Sequence, residues 1–189
     1  MTTEQTLVLL KHDAVQRNLL GRLIQRFEEA GFKIAAMKLV WADEKHAEKH
    51  YHLDETWAKN VYDKTKASYD KEGKTMEYKD HMHLGKTIQS WNMTFLSEGP
   101  VVALVLEGPH AVELVRKMVG STEPRQSPPG TIRGDFALLE SYALADKKQR
   151  VLRNLIHASD TVENAKREIA LWFNNTELHQ YTKELDKHF

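Results

Sequence analysis

The chain has 189 residues, 41% hydrophobic and 29% charged, enough for one domain with a substantial core and ordinary for a globular protein. Lys plus Arg and Asp plus Glu number 27 each, a formal net charge of +0, which argues against a general nucleic-acid coat. With Cys at 0, disulfide, zinc–thiolate and cysteine-nucleophile chemistry are excluded. Neither a signal peptide nor a bilayer-length apolar run is read, so a cytoplasmic protein with no membrane partner is expected.

Thr6-Leu7-Val8-Leu9-Leu10 is a continuous apolar run, the pattern of a strand buried on both faces, with Lys11 at its carboxyl end. Leu19, Leu20, Leu23, Ile24 and Phe27 follow helical spacing, and Gly31 supplies a stop. Phe32 to Trp41 reads as a second strand, after which Asp43 caps a helix bearing Ala47, His50 and Tyr51. Thr56 to Ser97 is helical in pattern, with Trp57 and Val61 one turn apart and Leu84, Ile88, Trp91 and Phe95 as a second stripe. Between them, the charged stretch Lys64 to Lys86 reads as a surface excursion. Val101 to Leu106 is the clearest strand, ended by Gly108-Pro109, and Val112, Val115, Met118 and Val119 give a short helix stopped by Gly120. The Gly- and Pro-rich stretch Ser121 to Gly134 is expected to be irregular. Phe136 to Leu144 reads as a fourth strand and Asp146 to Gln149 as a polar turn. Beyond His157, Asp160 with Glu163 reads as a capping box for a helix whose apolar face is Val162, Ala165, Ile169 and Trp172. Thr176 to Phe189 carries no clear pattern. The order predicts an α+β, ferredoxin-like split β-α-β fold, a four-stranded antiparallel sheet with helices packed on one face.

His157 is the candidate nucleophile: it precedes a helix N-terminus, and an imidazole is neutral near working pH. Lys11, Arg116, Thr122, Arg133 and Asn154 lie at strand ends and loops that can converge on it. Their three cations, hydroxyl and amide suit phosphate oxygens, and the chain has no GxxxxGK[ST] loop to bind phosphate another way. His46 and His50 stand one turn apart, with His81 and His83 nearby. Without Cys or a carboxylate set beside them they read as a solvated face rather than a metal site.

These residues resemble the nucleoside diphosphate kinase family. The likeness runs through Thr6 to Val40, Glu98-Gly99-Pro100-Val101-Val102-Ala103, the loop from Gly120 to Phe136 with Pro129-Gly130-Thr131-Ile132-Arg133-Gly134-Asp135-Phe136, and Arg153 to Phe173, with Asn154-x-x-His157-x-Ser159-Asp160 as its most specific part. The resemblance implies a ping-pong phosphoryl transfer from a nucleoside triphosphate such as ATP to a nucleoside diphosphate through phospho-His157, with broad base tolerance and Mg²⁺ carried mainly on the nucleotide. It implies that Glu168 holds the imidazole, that Tyr51 stands beside the phosphates, and that Lys11, Arg116, Thr122, Arg133 and Asn154 bind nucleotide. Trp57 is the best local fit for the base clamp. It also implies a homo-oligomer, a hexamer before a tetramer, and no specific nucleic-acid partner. His12 stands where the family usually has proline, and Ala158 where it usually has glycine. The chain is expected to be a single kinase domain over 1–189 with insertions at about 62–96 and 140–150. The competing reading is a non-catalytic nucleotide-binding or interaction homologue, which erosion of the catalytic set would betray; every aligned catalytic position is intact.

Overall fold

The computed structural model describes residues 3–71, 73 and 75–184. In chain order it runs β1 (Thr3–Leu10), α1 (His12–Gln16), α2 (Leu20–Glu29), β2 (Lys33–Val40), α3 (Glu44–His50), α4 (Glu55–Lys71) and α5 (His81–Ser97). It continues through β3 (Val101–Pro109), α6 (Ala111–Val119), α7 (Ile132–Phe136), α8 (Tyr142–Lys147), β4 (Ile156–Ala158) and α9 (Val162–Trp172), with short 3-10 turns at Pro124–Gln126 and Asn175–Glu177. The four strands form one antiparallel sheet in the order β2-β3-β1-β4.

The central pair β1 and β3 is buried along continuous apolar runs because both faces of the sheet are covered. Val8, Leu10, Leu104 and Leu106 pack with Leu23 and Phe27 of α2 and Val115 of α6. Leu7, Leu9, Ala103 and Val105 pack on the other side with Ala47 of α3, Leu96 of α5 and Ile169 and Trp172 of α9. The helices are therefore on both faces, not one. This follows from the runs Leu7 to Leu10 and Val101 to Leu106, which are apolar at every position and which a one-sided layer would leave half exposed.

The predicted fourth strand at Phe136 to Leu144 is absent. That stretch leaves α7, turns and enters α8, with Leu138 and Leu139 exposed rather than half-buried. The fourth strand is instead Ile156–Ala158, only three residues long, paired to β1 with His157 opposite Leu9. Its alternation sends Ile156 and Ala158 into the α2–α6 core and leaves His157 for the α3–α9 face. The Ser121 to Gly134 stretch is more regular than expected: Thr131 caps α7 by accepting from the Gly134 amide at 3.1 Å. Gly134 is required there, since a Cβ would sit 2.1 Å from the Pro128 carbonyl oxygen. Asp146 lies inside α8, and the turn follows it.

The cap of α9 is Thr161, accepting from the Asn164 amide at 3.1 Å, rather than Asp160. Asp160 instead accepts from the Asn164 side chain, so the Asp160–Glu163 box does not form, and Val162 is exposed while Ala165, Ile169 and Trp172 are buried. The excursion at Lys64 to Lys86 is the end of α4 and start of α5, whose Leu84 packs inward; 72 and 74 lie outside the described residues. The tail is tied along β2 by the His179 amide to Ala35 and the Tyr181 hydroxyl to Ile34, while 185–189 lie outside the described residues. Among the described residues, no helix is long and apolar enough to cross a membrane.

Candidate active site

The corner between β1 and α1 sets the position of the segment leading into β4. Asp13, buried in the first turn of α1, accepts from the Leu155 amide at 3.0 Å, and the Lys11 amide donates to the Leu155 carbonyl at 2.8 Å. These two bonds hold Leu155 at φ 67, a left-handed conformation that a branched side chain resists. The strain places Asn154 and His157 on either side of the bend. Asp13 was not singled out from sequence: nothing local distinguishes it from an ordinary first-turn acid.

Asn154 is a bracket between distant segments. Its Oδ1 accepts from Lys11 Nζ at 2.7 Å, and its Nδ2 donates to the Thr122 carbonyl at 2.8 Å. Arg133, in the first turn of α7, is buried and spreads its guanidinium over four backbone carbonyls: Asn154 and Ile156 before and within β4, and Gly120 and Ser121 after α6. Arg116, exposed on the last turn of α6, donates to the Ala158 carbonyl at 3.4 Å. Every acceptor holding these three cations is neutral, and none of the three makes an ion pair among the described residues. Burial lowers the Lys11 amine to about 8, against the pull of Asp13 and with a further push from Arg133 and Arg153. Burial, followed by the Arg116 charge, lowers Arg133 to about 10.

His157 sits in the middle of β4 with its Nε2 2.9 Å from Glu168 Oε2, two turns into α9, rather than toward the amides of that helix's N-terminus. Ser159 Oγ donates to the same Glu168 oxygen at 2.7 Å. Burial alone would push the Glu168 carboxyl up; the His157 charge and the hydrogen bonds from His157 and Ser159 outweigh it and hold the group at about 2. A carboxylate accepts only, so Nε2 of His157 carries the proton and Nδ1 keeps the free lone pair in the neutral ring. Ala158, in place of glycine, is accommodated because its backbone is extended in β4 and its methyl packs in the core.

Tyr51 caps the end of α3. Burial, then the Glu168 and Asp13 charges, push its hydroxyl up, so it stays a proton-bearing donor at neutral pH. The pair His46 and His50 is not a solvated face. His50 is buried with its ring 4.6 Å from that of His157, and His46 packs on Trp172 at 4.4 Å. The signal missed in the sequence was spacing: both histidines share one helix face with Ala47, which is core. Trp57 is half-buried in the first turn of α4 and makes no ring contact or side-chain hydrogen bond with this set among the described residues. His12, in place of proline, is buried between the Phe95 carbonyl, Arg153 and Glu98.

Among the described residues, one group of metal-ligating side chains converges: His50, His157 and Glu168. Two imidazoles and an already bonded carboxylate do not suit Mg²⁺, which takes oxygen ligands and water in an octahedron.

His157, bonded to Glu168, thus shares β4 and the segment before it with the carbonyls that hold Arg116 and Arg133 and with the Asn154 that holds Lys11. Known proteins resemble this chain over most of its length. The family model described as Nucleoside diphosphate kinase matches residues 4–76 and 70–178. A nucleoside diphosphate kinase from Pyrobaculum aerophilum is 42% identical over 182 residues, covering 94% of this chain and 99% of that protein. One from Pyrococcus horikoshii is 41% identical, covering 97% and 94%. The crystal structure of an NDP kinase from Pyrobaculum aerophilum superposes with a TM-score of 0.90 at 40% identity, covering 95% of this chain and 100% of that one. A transition-state mimic of the Borrelia burgdorferi nucleoside-diphosphate kinase, with bound vanadate and ADP, gives 0.79 at 33% identity, covering 98% and 96%. The chain belongs to the nucleoside diphosphate kinase family.

Proposed function

We propose that this chain exchanges phosphate between nucleoside tri- and diphosphates, ATP among them, through a phosphohistidine at His157. The observation that carries the reading is the Nε2–Glu168 bond, which leaves Nδ1 as the nucleophile inside the cation set. In the first half-reaction Nδ1 forms a bond to the γ-phosphorus as the bond from phosphorus to the bridging oxygen breaks, and the electron pair leaves with the diphosphate. Nε2–H stays on Glu168, which balances the cation formed on the ring. Lys11, Arg116 and Arg133 offset charge on the transferring group, Tyr51 supplies a hydroxyl donor, and Asn154 and Thr122 hold the ligand against the loop. Mg²⁺, brought in on the nucleotide, would supply further charge neutralisation. A second diphosphate then takes the group back. Trp57, with Val61, would clamp the base by stacking, which reads no base edge and so tolerates all bases.

The reading extends to a single kinase domain with insertions near 62–96 and 140–150; the family match in two segments meeting at 70–76 supports the first. It also includes a cytoplasmic homo-oligomer, a hexamer before a tetramer. Met37 and Leu39 on the edge strand β2, with Trp41 just beyond its end, support self-association: they are exposed apolar residues on one edge of the sheet. The experiment is intact-mass measurement after Mg²⁺-ATP, followed by chase with a different nucleoside diphosphate. One acid-labile phosphoryl group should appear and be discharged, and His157→Ala should show neither. Full exchange activity in that variant would overturn the assignment.

A further inference from the structure

A second histidine stands behind the first. His50 ends α3, is 3% exposed and presents its ring to His157 at 4.6 Å and 81°, edge against face. Its own orientation is set by α9: Trp172 Nε1 donates to His50 Nδ1 at 3.3 Å. Indole can only donate, so Nδ1 is the acceptor and Nε2 carries the proton. One helix thus ties down both rings, Glu168 holding His157 and Trp172, one turn on, holding His50. Arg167 adds a bond from the same helix to the Lys49 carbonyl at 3.2 Å, fixing α3 against it.

Histidine is a costly choice for this place. Its Nε2 is buried without a partner, an unmet donor that a purely apolar ring would avoid. The Glu168 bond and the covalent attachment at Cβ hold the His157 ring at two points, and the His50 ring packed across it at 81° limits the rocking that remains.

We propose that His50 is a positioning residue: its ring, locked by Trp172, holds the His157 imidazole in the plane that keeps Nε2 on Glu168 and Nδ1 toward the phosphate. This rests on His157 being the nucleophile. Burial, then the neighbouring His157 charge, keep His50 neutral well below the ordinary range, so it does not compete for Glu168.

The test compares His50→Asn, which keeps an acceptor for Trp172 but removes the ring, with His50→Phe, which keeps a ring edge. His50→Asn should lower kcat about tenfold or more with KM for ATP little changed, because misplaced reacting groups lose rate rather than binding. Nitrogen NMR should show the His157 Nδ1–H tautomer rising from a minor to a substantial population. His50→Phe, which keeps the ring but gives Trp172 no acceptor, should restore only part of kcat and of the wild-type tautomer. Unchanged kcat and tautomer in His50→Asn would overturn the proposal. So would equal losses in both variants that track a lowered Tm, the mark of simple filling. The tautomer is read without turnover, so failure of phosphate to appear on wild-type His157 would refute the nucleophile assignment separately.

Discussion

Replacing Glu168 by Gln keeps the shape of the side chain and removes only its charge, which isolates what the carboxylate does. The group is buried, and its pKa falls from an ordinary 4.5 to about 2 on folding. At about 1.4 kcal/mol per pH unit, that difference corresponds to at most roughly 3 kcal/mol of stability, the full amount applying while the His157 ring is charged. A carboxyl with a depressed folded pKa contributes fully above 4.5 and loses that contribution as pH falls toward about 2, because the unfolded chain takes up the proton first. Wild type and Glu168→Gln should therefore differ by up to roughly 3 kcal/mol at neutral pH and converge in acid. Urea denaturation at fixed protein concentration, repeated from about pH 7 to about pH 3, measures the gap. A gap of constant size across that range would mean that the substitution acts through packing. No gap at all would mean that the Glu168–His157 contact stores no net free energy.

Lys11 should set an alkaline limb: its amine loses charge as pH rises through about 8, so kcat/KM should fall there, and Lys11→Arg should flatten that limb at a lower optimum. The pH–rate profiles of the two proteins check this. Arg133→Lys should destabilise the fold by about 2–4 kcal/mol, because an ammonium cannot serve four carbonyls in a plane and unmet buried acceptors are costly. Thermal unfolding with and without nucleotide reads it. Met37→Lys with Leu39→Lys should shift the native mass toward smaller species in light scattering while leaving the monomer fold intact by circular dichroism; an unchanged mass would move the self-association surface elsewhere.

The strands β1 and β3 were legible because burial on both faces writes an unbroken apolar run into the chain. β4 was not: three residues including a histidine have no periodicity to detect, and its strand character comes from pairing with β1 some 150 positions away. Phe136 to Leu144 shows the converse. Its apolar residues look like a strand, yet Leu139 is 91% exposed, and no sequence rule separates an apolar surface turn from a buried edge. Asn154, Arg133 and His157 were readable as residues of strand ends and loops that could meet, and Glu168 joined them only through a family pattern. The structure now supplies their bonding, including an Arg133 clamp on backbone carbonyls that no spacing foretold. Asp13 and His50 stayed hidden because what they do depends wholly on contacts with Leu155 and with Trp172 and His157, far along the chain. Polar side chains that serve other polar side chains leave no hydropathy trace.

The neutral acceptors around Lys11, Arg116 and Arg133 have one more consequence. A cation salted to a carboxylate must be released before it can serve a ligand, and its field is cancelled meanwhile. Carbonyls and an amide hold these three in place, and Asp13 offsets only part of their charge, so Arg133 and Lys11 still repel each other, and Arg116 adds to the burden. The resting protein therefore carries a standing positive potential that it would lower its own free energy by losing. A polyphosphate relieves that repulsion on arrival, and approach should quicken as ionic strength falls. Occupancy should then stiffen the whole β1–β4 corner, since the same bonds that aim the cations also hold the strained bend at Leu155.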